Sequence, residues 1–359
     1  MEIAKLAQDE MLKLVQAGIQ APSADNMQPW RFRLGDGVLE VSLDPRLMGL
    51  FFDPAGVATE MGCGALVENI EQTALKLGYA THARFFSSPG DGVVARLTFS
   101  SATGNRGGTL SDEVFTRCTD RGLYRKNRPL TASEQASLSE NMLDFPGYNL
   151  AFHDQPEARR QFIHAVYQAD TIRFSHPETH RDFHHVLRFG ADAESSRDGL
   201  AQSTLGIEFF FIPVLKLLKP WALTRRLNWI GLHHLMALRG VWLPMVTAPS
   251  LVSIAHSGSR DNFQSGRAMQ RFWLEATRLG LSVQPLGAFP LFLARLQVLD
   301  GEGFSDRQVT RLERLLSEMA RFIPSLQESE SQLVMLFRVG HARKRPGRSL
   351  RRPVTTFID

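Results

Sequence analysis

Residues 64–79, GALVENIEQTALKLGY, align without a gap on residues 266–281, GRAMQRFWLEATRLGL, at an offset of 202. Gly64 falls on Gly266, Ala74 on Ala276, Lys76 on Arg278, Leu77 on Leu279 and Gly78 on Gly280. In both copies a helix runs from glycine to glycine and then enters an extended segment. A Leu-Gly ending is a common helix stop, so the match taken alone also admits two unrelated amphipathic helices. The alternative is a chain of two related halves, which the positions of the motifs below favour. At 359 residues, 43 % hydrophobic and 22 % charged, the chain has the material and balance for a large globular core.

The remaining elements follow from periodicity and punctuation. A first helix is expected over 3–19 and is ended by Ala21-Pro22-Ser23. Strands are expected at Trp30–Leu34 and Val38–Leu43, joined by Gly35-Asp36-Gly37. A helix over Thr59–Leu77, a strand over Val93–Phe99 and a Gly-rich linker at 104–108 complete a first section, 1–108. The second section, 109–359, opens with a short helix into Arg117. It continues with a helix capped by Thr131 or Ser133, a strand at Tyr148–His153 and a helix at Pro156–Phe174. After an apolar, basic insert over about 177–259 come helices at Asn262–Leu279 and Asp306–Phe322 and a strand at Gln332–Val339.

Charge and cysteine usage exclude several classes. The net charge of +4 is too small to imply nucleic acid, although seven of the fifteen residues from Arg338 to Arg352 are Lys or Arg. No aromatic residues are interleaved with that basic tail, so a nucleic-acid partner is not expected. Cys63 and Cys118 make no disulfide framework or zinc spacing, which fits a reducing compartment. The N-terminus lacks the basic start and unbroken apolar run of a secretory signal, so a cytoplasmic location is expected. Residues 205–246 are apolar but broken by Lys216, Lys219, Pro220, Arg225, Arg226 and Arg239, leaving no span long enough to cross a membrane. Contact with a membrane surface through that segment stays open.

Four segments carry chemistry. The most specific is APSADNMQPWRF, residues 21–32, in which Pro22 and Pro29 hold an extended backbone and Ser23 and Asn26 offer short polar groups. In Arg117-Cys118-Thr119-Asp120-Arg121, alternate residues of an extended segment face one way, presenting two guanidinium forks and a hydroxyl to one phosphate. The third is the C-terminal Met335–His341 strand with the tail Arg348–Pro353; the fourth is Gln284–Phe289, where small residues let backbone approach a ligand.

The first segment resembles the APSxxNxQPWxF signature of the nitroreductase family of FMN enzymes, with Ser23, Asn26, Gln28, Pro29, Trp30 and Phe32 matching. Arg117, Thr119 and Arg121 resemble the family's R-x-[ST]-x-[RK] motif, and Ser349 and Arg351 fall where it again holds the flavin phosphate; many relatives have lysine in place of Ser349. Gly287 and Ala288 match the position whose backbone N–H groups bond flavin N5, where many relatives have Glu-Gly. The resemblance implies an α+β nitroreductase-like fold: central, mostly antiparallel sheets flanked by helices, with two related halves forming a pseudo-dimer in one chain. It assigns Pro22, Ser23, Asn26, Gln28, Arg117, Thr119, Arg121, Gly287, Ala288, Ser349 and Arg351 to cofactor binding.

Most nitroreductases are shorter homodimers whose flavin sites draw on both subunits; this chain looks like the subgroup with two fused halves, in which the insert is a candidate lid. The implied activity passes electrons from NAD(P)H through FMN to a nitroaromatic, quinone or similar small-molecule acceptor, with no side chain needed as acid or base. The rival is a flavin-sequestering or stress-associated binding protein with little turnover. His176, His180 and His184, spaced to share one helical face, are expected to form a solvated polar face rather than a metal site. Cys118 lies between cations but lacks the His or Asn partner pattern of a catalytic thiol.

Overall fold

The computed structural model describes residues 3–86, 92–102, 109–328, 330–344 and 346–359. The linker expected at 104–108 lies outside them. Two four-stranded sheets form the frame. The first contains β1 (Trp30–Gly35), β2 (Val38–Leu43), β3 (Tyr79–Phe85) and β4 (Val93–Ser101), in the spatial order β1-β2-β4-β3. The second contains β5 (Tyr148–Phe152), β6 (Ser250–His256), β7 (Ser282–Pro285) and β8 (Gln332–Gly340), in the order β5-β6-β8-β7. Every pairing within the two sheets is antiparallel.

The two orders are the same: first strand, second, fourth, third. In each sheet a helix joins the second strand to the third: Val57–Lys76 in the first, Asn262–Arg278 in the second. These are the two repeat helices. Contacts between them advance together from Glu60–Asn262 to Asn69–Gln270, so they run side by side in the same direction. Gly64 faces the Phe263 carbonyl and Gly266 faces the Met61 carbonyl, each so closely that an added methyl would overlap the oxygen. Met61 and Phe263 each sit three residues before their own glycine. The contact is therefore reciprocal, as across a two-fold axis.

Polar groups between the helices obey the same symmetry. Glu68 and Gln270 are equivalent positions, as are Asn69 and Arg271; Arg271 Nε donates to Glu68 Oε1 at 2.5 Å, and Gln270 Nε2 donates to Asn69 Oδ1 at 2.6 Å. Glu68 is fully buried and also accepts from Gln72 at 3.0 Å and Arg267 at 3.3 Å. A buried carboxylate is tolerated because three side chains satisfy it. One apolar core then spans the junction, with Phe32, Leu97 and Phe99 from the first section continuous with Phe272, Trp273 and Phe337 from the second.

Two departures from expectation concern what joins the two sheets. Ser250–His256 falls inside the expected 177–259 insert, yet it is an interior strand of the second sheet; the inserted segment ends before it. Its sequence SLVSIAH lacks clean alternation because all but its last residue are buried. The C-terminal segment returns to the first sheet: Phe32 N donates to Phe357 O at 2.7 Å, and Asp359 N donates to Phe32 O at 3.0 Å. That pairing, with Phe357 buried, lays the basic tail beside the 21–29 loop. The first helix starts later than expected, at Gln8 rather than Ile3, because Ala4 N is bonded to Phe99 O at 2.8 Å and Glu10 caps Ala7.

Gly64→Ala and Gly266→Ala are each expected to lower the unfolding free energy by about 1–3 kcal/mol, the cost of overpacking. Gly35→Ala, whose added methyl meets nothing nearer than 3.8 Å, should stay within about 0.5 kcal/mol. Denaturant midpoints check this, and equal effects at all three sites would contradict the close-packed helix pair.

Candidate functional site

After helix Gln8–Gly18 the chain enters β1 through a strained loop that packs against Gly62 of the first repeat helix. Asp25, Asn26 and Gln28 have φ of 46°, 60° and 52°, left-handed values uncommon for residues with a side chain. Side chains hold the strain in place. Gln28 N donates to Ser23 Oγ at 3.0 Å, and Gln28 Nε2 donates to Asn26 O at 3.1 Å and Arg197 O at 3.0 Å. Asn26 Nδ2 reaches Gly199 O and Leu350 O, both at 3.2 Å. The motif residues Asn26 and Gln28 thus spend their amides on the protein itself, and Gln28 does not border the cavity that Pro22, Ser23 and Asn26 line.

Arg351 is the clasp between this loop and the tail. Its Nε donates to Ile19 O at 2.9 Å, Nη1 to Asn26 Oδ1 at 2.7 Å, and Nη2 to Gln20 O and Ala21 O, both at 3.1 Å. Arg117 approaches from the other side. Its Nη2 donates to Gln20 O at 2.8 Å, its guanidinium lies 4.4 Å over the Trp273 ring, and its buried Nε has no partner. Burial, with Arg351 and Arg348 beside it, pushes its pKa down to about 9. Burial and Arg348 push Arg351 down to about 10. Both stay charged at neutral pH. Among the described residues no carboxylate forms an ion pair with Arg117, Arg348 or Arg351. Three guanidinium groups converging without a counter-ion make a site for an anion.

Residues 117–121 run along the free side of β7, with Thr119 bridged to Val283 and Asp120 N bonded to Val283 O at 2.9 Å. Arg117, Thr119 and Arg121 all border the cavity. The two arginines, however, have different neighbours. Arg121 is felt by Asp25, Arg173 and Arg338, and its Nη1 is bonded to Thr204 O at 3.1 Å, whereas Arg117 is felt by Arg351 and Arg348. The structure therefore groups Arg117 with the tail arginines, where the sequence spacing pairs it with Arg121. Asp25, lining the same cavity, has its pKa raised by burial and pulled back by Arg173 and Arg121.

Gly287 and Ala288 stand at the start of helix Ala288–Leu299 and border the cavity. First-turn N–H groups of a helix have no acceptor within it, so this end offers donors and the positive pole of the helix dipole. The cavity they share measures about 650 Å³, within the span of small-molecule sites. Ser349 and Arg348 border it at the cationic end; Phe52, Met61, Met269 and Met335 supply apolar surface. Sequence reasoning named the insert as a candidate lid but not the residues, from Leu205 through Phe211 and Leu218 to Met236 and Trp242, with which it forms a whole apolar wall. It also missed Asp25 within the loop, and Arg348 and Arg173, which only the fold brings near it.

The histidines behave otherwise than expected. His176 and His180 are buried, not solvated, donating from Nε2 to Gly303 O at 2.8 Å and Lys219 O at 3.0 Å. Burial holds the His184 pKa down at about 4. Among the described residues no cluster of His, Cys, Asp and Glu is arranged to hold a metal.

No family model matches the chain. It is 25 % identical over 348 residues to an uncharacterized protein of Mycobacterium tuberculosis, covering 92 % of this chain and 45 % of that protein. It is 30 % identical over 118 residues to a M. tuberculosis protein provisionally named NAD(P)H nitroreductase acg, covering 32 % of this chain and 35 % of that one. The likeness to that nitroreductase-named protein is confined to about a third of each chain. The chain spans less than half the length of these relatives. Similar solved structures include the FMN-dependent nitroreductase NfnB of Mycobacterium smegmatis in complex with NADPH, 14 % identical at TM-score 0.38, covering 69 % of this chain and 96 % of that one. A BluB-like flavoprotein of Clostridium difficile is 11 % identical at TM-score 0.38, covering 70 % and 97 %. The architecture above rests on this chain's own strands and helices.

Arg351→Ala is expected to lower the unfolding free energy of the ligand-free protein by about 1.5–3 kcal/mol, the scale of hydrogen bonds to a charged group. Arg351→Lys should recover only part of it, since an ammonium cannot span the same set of carbonyls. Denaturant titration at neutral pH measures both, and an unchanged midpoint for Arg351→Ala would contradict the clasp.

Proposed function

We propose that the cavity binds FMN and that the protein is a flavin-dependent oxidoreductase of nitroreductase type, drawing on NAD(P)H and serving a small-molecule acceptor. The observation that carries this is the charge pattern: a cavity apolar over most of its wall, with three guanidinium groups at one end (buried Arg117, half-buried Arg351 and exposed Arg348) that form no ion pair among the described residues. A flat, apolar ring system ending in a phosphate fits that pattern. The unpartnered Arg117 Nε, buried beside Arg348 and Arg351, is a donor the protein itself leaves unused.

Under this proposal Arg117, Arg348 and Ser349 hold the phosphate, with Thr119 adjoining on the same edge segment, while Arg351 positions the tail. Pro22, Ser23 and the backbone of Asn26 border the ring system, and Arg121 lies toward the Asp25–Arg173 group. The N–H groups of Gly287 and Ala288 donate to the ring's acceptor edge. When bound, FMN supplies the two-electron redox chemistry. The chain's own part is to orient that group, exclude water with the apolar insert and neutralise the phosphate charge. The first section supplies the edge loop and the second supplies the cations and the helix start, so one chain builds one complete site from two fused halves.

A second function has support in the insert's coverage of the cavity: a flavin-sequestering protein with little turnover. Mixing the flavin-loaded protein with NADPH separates the two, since fast bleaching of the flavin band supports the oxidoreductase and a persistent band supports the binder.

The purified or reconstituted protein is expected to be yellow, and heat should release a chromophore with the mass of FMN. FAD, or no flavin after reconstitution, would contradict the proposal. Arg117→Ala should weaken FMN binding by about 1.5–3 kcal/mol, while Arg33→Ala, an exposed change on the first sheet, should leave it unchanged.

A further inference from the structure

The insert has a second face. Phe209 is 85 % exposed, Leu217 65 %, Trp229 91 % and Ile230 83 %, which is unusual company for residues of this size. These tips are continuous with the cavity mouth. Val214, Leu235, Leu238 and Trp242 are exposed and also line the cavity, so they form its rim. The Phe209, Phe210 and Phe211 rings follow one another at 5.7 and 4.9 Å, and Phe211 lines the cavity.

Charge accompanies the apolar tips. Residues 205–246 hold five Lys or Arg against one acid, Glu208, which Arg239 engages at 2.7 Å. Lys216, Lys219, Arg225 and Arg226 are exposed and form no ion pair among the described residues. Among the described residues no helix is long and apolar enough to cross a membrane. Short helices with aromatic tips and unpaired cations suit the plane of a lipid interface. A second copy of the chain suits this face poorly, because it would set like charges against like.

We propose that this face docks on an anionic lipid surface, with Phe209, Leu217, Trp229 and Ile230 entering the interface, the four cations meeting headgroups and the cavity mouth turned toward the lipid. The acceptor class then follows: an apolar molecule that partitions into a bilayer. That last step rests on the flavin function above; the docking does not.

Flotation of the full chain with phosphatidylcholine vesicles, with and without phosphatidylglycerol, tests the docking in the absence of any substrate. The chain should float with the anionic vesicles, less so at high salt. The triple change Phe209→Ser, Trp229→Ser and Ile230→Ser should reduce the bound fraction about tenfold, and Arg225→Glu with Arg226→Glu should do likewise should the triple variant fail to fold. Leu143→Ser, a change at an exposed leucine outside this face, should have no effect. Absence of flotation with anionic vesicles would overturn the proposal, as would binding that survives either set of changes. Light scattering that shows instead a dimer, lost in the same variants, would overturn it in favour of a contact between copies.

Discussion

The close approach of the two repeat helices is the contact on which the rest of the molecule depends. Gly64 and Gly266 each admit the other helix's backbone, and this reciprocal seat fixes the separation and direction of the two sheets. The 21–29 loop packs at the first helix, where the Pro22 carbonyl lies 3.3 Å from the position a Cβ on Gly62 would take. Trp273, on the second helix, lies under Arg117. A shift between the helices would therefore move the loop and the cation it faces relative to each other. The return of Phe357 to β1 adds a second tie across the same junction.

Stability and binding pull against each other at this junction. Three left-handed residues in the loop, and the Arg117 guanidinium buried with no ion pair among the described residues, cost folding free energy. The fold offsets part of that locally, through Arg351's bonds to four carbonyl and amide oxygens and Arg117's seat on Trp273. An anion that neutralises the remaining charge stabilises the folded state by mass action. Under the proposed function this is a binding site held open at a cost in stability rather than a relaxed core.

Much of this was legible in the sequence where a local rule governs. The helices at 57–76 and 262–278 show their glycine-to-glycine spacing, Thr131 and Glu134 form the expected cap, and the β1–β2 hairpin turns at Gly37, with φ of 71°. β3, YATHARF, was harder to see as a strand because it is an edge strand with no fully buried residue. β6 was masked by its position beyond an apolar insert. At the site, the motif residues Pro22, Ser23, Arg117 and Arg351 were visible as residue types, but not their division of labour. Asn26 and Gln28 turn inward to the backbone at Gly199 and Arg197, and Arg121 faces Asp25 rather than Arg117, because contacts between residues far apart in sequence decide it. The insert's apolar wall could not be read from spacing at all, since its residues reach the cavity only through tertiary packing.

The central claim is that two fused halves build one flavin site within a single chain. Flavin absorbance against protein concentration on an FMN-saturated sample, with the solution mass measured by light scattering, tests it most directly. The account predicts one FMN per 40.3 kDa chain, retained when the protein is diluted to the single-chain mass. A ratio near two per chain, or loss of FMN when a dimer dissociates, would contradict it.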